Sequence, residues 1–412
     1  MAVRKRSSRD IRSESRLDVL HALLAEGGAT RNGLARTTGL SLATVATVVS
    51  ELLAEGLVAE TGVSASGVGR PTTTLAIRGA RGILAGVDVA ETYVSTHVFD
   101  AALTELARAD VPLDERVESP EHVVGGVLRS LDAALREAGR DRSDLLGVGV
   151  ALPGLVQGRD GAMSVVVPAW HWRGVGVLDL LRGRLDAPIV VENPLKAIAT
   201  AELWLGAGRG VDSLVTVNLG TGVGAGIVLD GAVLRGATNS AGEWGHTLLV
   251  HEGRGCRCGR RGCVEAYVGA PGIQQTLRET APDHPLTGTQ QQSDFIAGLA
   301  AALDAADPDP AAVRTVERTA DYLGSAIADL VAVINPELVM LTGWTAWALG
   351  EHLLPGTVAQ VRAQAPRGTT TDHTVGISTV RGNSAAIGMA TLALERFLGD
   401  VGLLTTRVPI AL

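Results

Sequence analysis

All three cysteines of the chain fall within eight residues, Cys256-Arg257-Cys258-Gly259-Arg260-Arg261-Gly262-Cys263, shortly after Gly242-Glu243-Trp244-Gly245-His246. Three thiols and one imidazole joined by short loops can close a tetrahedral Cys3His site on His246, Cys256, Cys258 and Cys263. Gly255, Gly259 and Gly262 are expected to supply the sharp turns that wrap the loop around one ion. Thiolates select a soft or borderline metal, and zinc is the common choice. Four protein ligands leave no position for water, so the expected zinc is structural. Cysteines this tightly spaced make a poor disulfide framework. The flanking Glu243 and Glu265, and the second ring nitrogen of His246, could accept or donate hydrogen bonds to sugar hydroxyls. They could equally be ordinary surface groups.

A cluster of this kind is a local staple, and the rest of the 412 residues must build two or three further units. The pattern changes near residue 80. Before it, Leu17, Leu20, Leu23 and Leu24 form an apolar stripe ended by Gly27-Gly28, Thr30 can cap a short helix stopped by Gly39, and Ser41 can cap a third. Val45, Val48, Val49 and Leu52 share one face of that third helix, and a hairpin follows from Leu57-Val58 to Leu75-Ala76-Ile77. After residue 80, short apolar runs such as Ile83–Val89, Leu145–Ala151 and Leu338–Leu341 alternate with helical stretches such as Val123–Ala138, which argues for an α/β architecture. Aromatics are only 3% of the chain, so its cores must be aliphatic. The stretch 282–310, rich in Pro, Asp, Gln and Thr, is expected to contain exposed loops.

Three helices and a hairpin make a winged helix-turn-helix, whose second motif helix enters the DNA major groove. On the helix after Ser41 the outward positions are Ala43, Ala46, Thr47 and Ser50, with Thr44 on the flank. None is Arg, Asn or Gln, so readout through Ser41, Thr44, Thr47 and Ser50 is expected to be modest. Gly69, Arg70 and Pro71 at the wing tip offer the stronger contact, in a narrow minor groove. Residues 1–80 carry ten basic against seven acidic groups, a net of +3, while the whole chain is −8. A basic head on an acidic body suits nucleic acid at the head alone, although a small helical domain that binds a protein is the alternative.

The glycine-rich segments, Glu243-Trp244-Gly245-His246 and the cysteine cluster together resemble the ROK family, named for its repressors, open reading frames and sugar kinases. The resemblance runs over nearly the whole chain, and Ser66-Gly67-Val68-Gly69-Arg70-Pro71 resembles the wing of its repressor branch. It implies an α/β fold: an N-terminal winged helix-turn-helix (1–80) and a two-lobed actin-like (sugar-kinase/ribonuclease-H-like) domain with a cleft. The lobes are expected at 81–200, to which the C-terminal helix could return, and at 201–412 with a zinc element at 246–263. It further implies sugar contacts from Pro153, Gly154, Asn193, Glu243, His246 and Glu265.

A sugar kinase cradles ATP phosphates on backbone N–H groups and supplies a base to the attacking hydroxyl. Where the family has Asp-x-Gly-Gly-Thr, this chain has Asp88-Val89-Ala90-Glu91-Thr92, adding a methyl and a negative charge. Where the family has Glu-Asn-Asp, it has Glu192-Asn193-Pro194, and proline takes no proton. The second loop, Asn218-Leu219-Gly220-Thr221-Gly222-Val223-Gly224, is intact. The resulting expectation is a repressor with no enzymatic activity and no ATP. Its partners would be a double-stranded DNA operator, a sugar or sugar-phosphate effector and further copies of itself as homodimer or homotetramer. Lys196 hints at an anionic effector. No apolar run approaches the roughly 20 residues that span a bilayer, and the charged Arg4-Lys5-Arg6 start does not read as a secretory signal, so no membrane and a cytoplasmic location are expected. An active sugar kinase with a regulatory head, and a zinc-stabilised scaffold, are the competing classes.

Overall fold

Leucines at 17, 20 and 23 repeat at helical spacing. In the computed structural model, which describes residues 8–64, 72–114, 116–159, 162–369 and 374–400, they are buried along helix α1 (Ser8–Glu26). Gly27 ends it at φ 66°. Thr30 Oγ1 accepts from the Gly33 N–H at 3.1 Å to cap α2 (Arg31–Thr38), which Gly39 stops at φ 71°. Ser41 caps α3 (Leu42–Ala54) in the same way, accepting from the Thr44 N–H at 3.1 Å, and Val45, Val48, Val49 and Leu52 are buried. Strand β3 (Thr72–Ile77) lies between β1 (Ala29–Thr30) and β2 (Val58–Ser64), antiparallel to both. The expected hairpin is thus a three-stranded sheet, because the two residues before α2 pair with Leu75 and Thr74.

Beyond residue 80 the α/β pattern begins. β4 (Ile83–Val89), β5 (Tyr93–Asp100) and β6 (Glu105–Pro112) form an antiparallel meander, covered on one side by α4 (Pro120–Glu137). β7 (Leu145–Ala151) runs parallel to β4. β8 (Leu155–Arg159), β9 (Ala162–Val167) and β10 (Trp172–Val175) make a separate small sheet, followed by α5 (Val177–Arg182). β11 (Ile189–Glu192) then joins β7 in parallel, and α6 (Pro194–Leu205) follows. The helix Ser384–Asp400 packs against β4, β7 and α6. Its approach demands glycine: a Cβ at Gly86 would lie 1.8 Å from the Ala386 carbonyl oxygen, and one at Gly149 2.1 Å from that of Met389. The described residues up to Leu205, with those from Gly382 onward, form one compact unit. Within it Leu17, Leu20, Leu23 and Leu75 of the head share an apolar cluster with Leu84, Phe99, Trp204, Leu394 and Leu398. Residue 80 therefore separates two folding patterns whose cores run together.

The second unit is Gly206–Arg381. β12 (Leu214–Leu219) and β13 (Val223–Leu229) form a hairpin extended by β14 (Ala232–Val233). The chain then passes through α7 (Glu265–Val268), α8 (Ala270–Thr280), α9 (Gln292–Leu303) and α10 (Pro310–Ile334). β15 (Leu338–Thr342) returns parallel to β12, and after α11 (Trp344–Gln364) β16 (Thr374–Ile377) lies parallel to β15. Between the exposed loops of 282–310, Phe295, Ile296 and Leu299 sit at helical spacing and are buried, so α9 forms there despite polar flanks. Among the described residues no single helix is long and apolar enough to cross a membrane.

Candidate functional site

The loop after β14 is folded by its own backbone. The Cys256 N–H donates to the Arg260 carbonyl at 2.8 Å, the Gly262 N–H to Arg254 at 2.8 Å, and the Leu249 N–H to Gly262 at 2.7 Å. Gly259 (φ 87°) and Gly262 (φ 78°) are left-handed, and a Cβ at Gly262 would lie 1.8 Å from the Val250 carbonyl oxygen. Gly255, expected to be a third such turn, has no positive φ and open space at its Cβ position, so glycine is not required there. His246 ends a single turn, Trp244–His246, anchored by the buried Trp244.

These turns bring four ligand atoms of His246, Cys256, Cys258 and Cys263 within 4.8 Å of one another. Cys258 Sγ and Cys263 Sγ are 3.7 Å apart, as are Cys256 Sγ and His246 Nδ1. An ion about 2.3 Å from sulfur and about 2.1 Å from nitrogen requires tetrahedral edges of about 3.8 Å (S···S) and about 3.6 Å (S···N). These two edges match a tetrahedral ion, and the four residues could hold one. Burial pushes the Cys256 thiol up to about 12. Although burial opposes it, Cys258 is drawn below the ordinary thiol range by hydrogen bonds from Arg260 and the neighbouring cysteines. Three thiols this close repel one another as thiolates, and a cation is the natural counter-charge.

Glu265 opens α7 and is buried. Its Oε2 accepts from the Val223 N–H at 3.0 Å, and its Oε1 lies 3.5 Å from Cys256 Sγ and 3.4 Å from Arg257 Nε. It ties the β12–β13 turn to the cysteine loop and still leaves about one of a carboxylate's roughly four acceptor positions. Glu243 precedes the Trp244 turn and accepts from the His246 N–H at 3.1 Å through its carbonyl. His246 turns Nδ1 toward Cys256, which makes Nε2 its outward nitrogen. The turn Gly220-Thr221-Gly222 is closed by the Gly220 N–H on the Gly222 carbonyl at 3.2 Å. A Cβ at Gly220 would come within 2.9 Å of Trp344 Nε1, so the indole at the start of α11 lies on this glycine. Nothing in the sequence around Trp344 signals that contact.

In the first unit Asn193 links β11 to α6. Its Oδ1 accepts from the Leu195 N–H at 2.8 Å and its Nδ2 donates to the Gly154 carbonyl at 2.7 Å. Gly154 (φ 77°) bends the chain beside Pro153, and a Cβ there would meet the Val166 carbonyl oxygen at 2.3 Å. Pro153, Gly154 and Asn193 are thus held together. Pro194 is the first residue of α6, where a fixed φ and a missing N–H suit a helix. Lys196 is buried, with Nζ 4.0 Å from Glu192 Oε1, so it balances an internal carboxylate and gives no sign of an anionic effector. Asp88 Oδ2 accepts from Asn383 Nδ2 at 3.0 Å, and Asn383 Oδ1 in turn accepts from the Ala386 N–H at 3.0 Å at the start of the C-terminal helix. Burial pushes the Asp88 carboxyl up. The Ala90 N–H donates to the Tyr93 carbonyl at 2.9 Å, closing a tight turn.

On α3, Ala43, Ala46, Thr47 and Ser50 are exposed and Thr44 is half-buried. Arg12 pairs with Glu51 and Arg16 with Glu55, which fastens α1 to α3. Gly69, Arg70 and Pro71 lie outside the described residues.

The ROK family model matches residues 84–396, and a winged helix-turn-helix DNA-binding model matches residues 12–59. A glucokinase of Halalkalibacterium halodurans is 32% identical over 65% of this chain and 82% of its own. A putative xylose repressor of a Caldicellulosiruptor species is 28% identical over 80% of this chain and 83% of its own. The crystal structure of a ROK family transcriptional regulator, a homologue of the E. coli MLC protein, shares the fold with TM-score 0.73 at 24% identity, covering 96% of this chain and 99% of that one.

Proposed function

The chain belongs to the ROK family, and from that membership we propose that it is a sugar-responsive DNA-binding repressor whose kinase-like body binds a sugar or sugar derivative without phosphorylating it. The observation that carries this reading is the winged helix-turn-helix head, built in one apolar cluster with the body. Pro153, Gly154 and Asn193 in the first unit, and Glu243, His246 and Glu265 in the second, are the groups proposed to contact the ligand. Zinc on His246, Cys256, Cys258 and Cys263 would hold the loop that carries His246, and it would supply no reactive water. Operator DNA, self-association as a dimer or tetramer and a cytoplasmic location complete the proposal. Arg70→Ala is expected to weaken operator binding about tenfold by gel shift, the loss of one strong base contact; unchanged affinity for every operator would remove the wing from the interface.

A second reading, a sugar kinase with a regulatory head, is favoured by the glucokinase relative. Against it stand Pro194 where the family's base would be, the Ala90-Glu91 turn, and an indole lying on Gly220. A coupled ADP-release assay over a hexose panel separates the two. The repressor reading expects no hexose-dependent turnover, together with thermal stabilisation by at least one sugar.

The route from ligand to DNA is proposed to be α6. Its first turn is capped by Asn193, which also holds Gly154. Near its other end Trp204 packs edge-on against His21 of α1, with ring centroids 3.9 Å apart. A ligand that moves the Asn193 cap therefore moves a helix already seated on the DNA-binding head.

A further inference from the structure

Leu42, the first residue of α3, is 56% exposed, unusual for a large aliphatic side chain in a region whose other leucines are buried or half-buried. Around it the hydroxyls bond within the helix and its cap. Thr47 Oγ1 donates to the Ala43 carbonyl at 3.0 Å, Ser50 Oγ donates to the Ala46 carbonyl at 2.9 Å, and Ser41 Oγ and Thr44 Oγ1 bond each other at 2.8 Å. The centre of the exposed face therefore presents an isobutyl group and the methyls of Ala43, Ala46 and Thr47, with the O–H donors of Thr47 and Ser50 turned back on the helix. This changes the expectation of hydroxyl readout by Thr47 and Ser50.

We infer that Leu42 is a specificity-determining residue of the head, and that with Ala43 and Ala46 it reads thymine 5-methyl groups in the major groove. The inference rests on the DNA-binding reading above. In the major groove, thymine alone offers a methyl, and apolar side chains are its natural partners. The occupant is duplex DNA because α3 is the second helix of a winged helix-turn-helix motif, whose N-terminal residues face base edges. An apolar face on a globular surface is otherwise unfavourable, and burial of a methyl recovers about 0.8 kcal/mol, about fourfold in affinity.

The test begins with an operator selected from a random duplex library by the full-length protein. Each thymine is then replaced by uracil, which removes the methyl and keeps every hydrogen-bonding group. Affinity is expected to fall about fourfold at one or two thymines per half-site. With Leu42→Ala, uracil at the same positions should cost nothing further. Uniform tolerance of uracil, or a Leu42→Ala protein that keeps the full uracil penalty, would overturn the assignment while leaving DNA binding intact. Failure to enrich any duplex would overturn the DNA-binding reading itself. Because the uracil series uses the unaltered protein, a misfolded variant cannot mimic either result.

Discussion

Cys263→Ser is expected to abolish metal binding and to lower the unfolding midpoint of the protein by about 10 °C. Cys263 is the buried member of the cluster, 1% exposed and adjoining Val264 and Tyr267 in the core of the second unit. Its replacement removes a thiolate ligand and leaves a hydroxyl in an apolar setting. Structural zinc contributes folding free energy directly, and a loss of about 3 kcal/mol corresponds to roughly 6–12 °C in a unit of this size. Cys258→Ser provides the comparison, because Cys258 is exposed. It should lose the metal equally, measured as zinc per chain by atomic emission, with a smaller fall in midpoint. Equal zinc content in both variants and the unaltered protein would rule out the four-ligand site. Full zinc loss without any thermal effect would mean that the metal held by the unaltered protein is not structural.

Trp204→Ala is expected to disconnect ligand from DNA. The indole is buried between α1, α6 and the C-terminal helix, and truncating a buried tryptophan costs about 3–5 kcal/mol. The milder Trp204→Leu keeps apolar volume while losing the edge-on contact with His21. In the unaltered protein a ligand should change operator affinity by roughly 5- to 150-fold. In Trp204→Leu that factor should approach one, with ligand affinity and ligand-free operator affinity each within about threefold of the original. Anisotropy titrations with and without saturating sugar measure both. A variant that retained the full ligand response would place the coupling outside α6.

How much of this was legible beforehand follows the distance over which each residue acts. The caps of Thr30 and Ser41, the stops at Gly27 and Gly39, and the apolar faces of α1 and α3 came straight from local pattern. So did the grouping of His246 with three cysteines. A cap or a short metal loop closes within a few residues, so spacing alone reports it. The hydroxyls of Thr47 and Ser50 show the limit of that logic. Helical spacing placed them outward correctly, but it could not say that each bonds the carbonyl four residues back.

Other features depend on partners that only folding brings near. Lys196 hints at an anionic effector in the sequence, but folding buries it beside Glu192. Gly86 and Gly149 look like ordinary strand glycines, yet the carbonyls of Ala386 and Met389 occupy the space where their Cβ atoms would be. Trp344 on Gly220 and Trp204 on His21 join positions far apart in the chain. The soft ligands of the cysteine cluster stand at the other extreme. Chemistry carried by neighbouring residues survives in the linear order, whereas close packing is a property of surfaces that do not exist until the chain has folded.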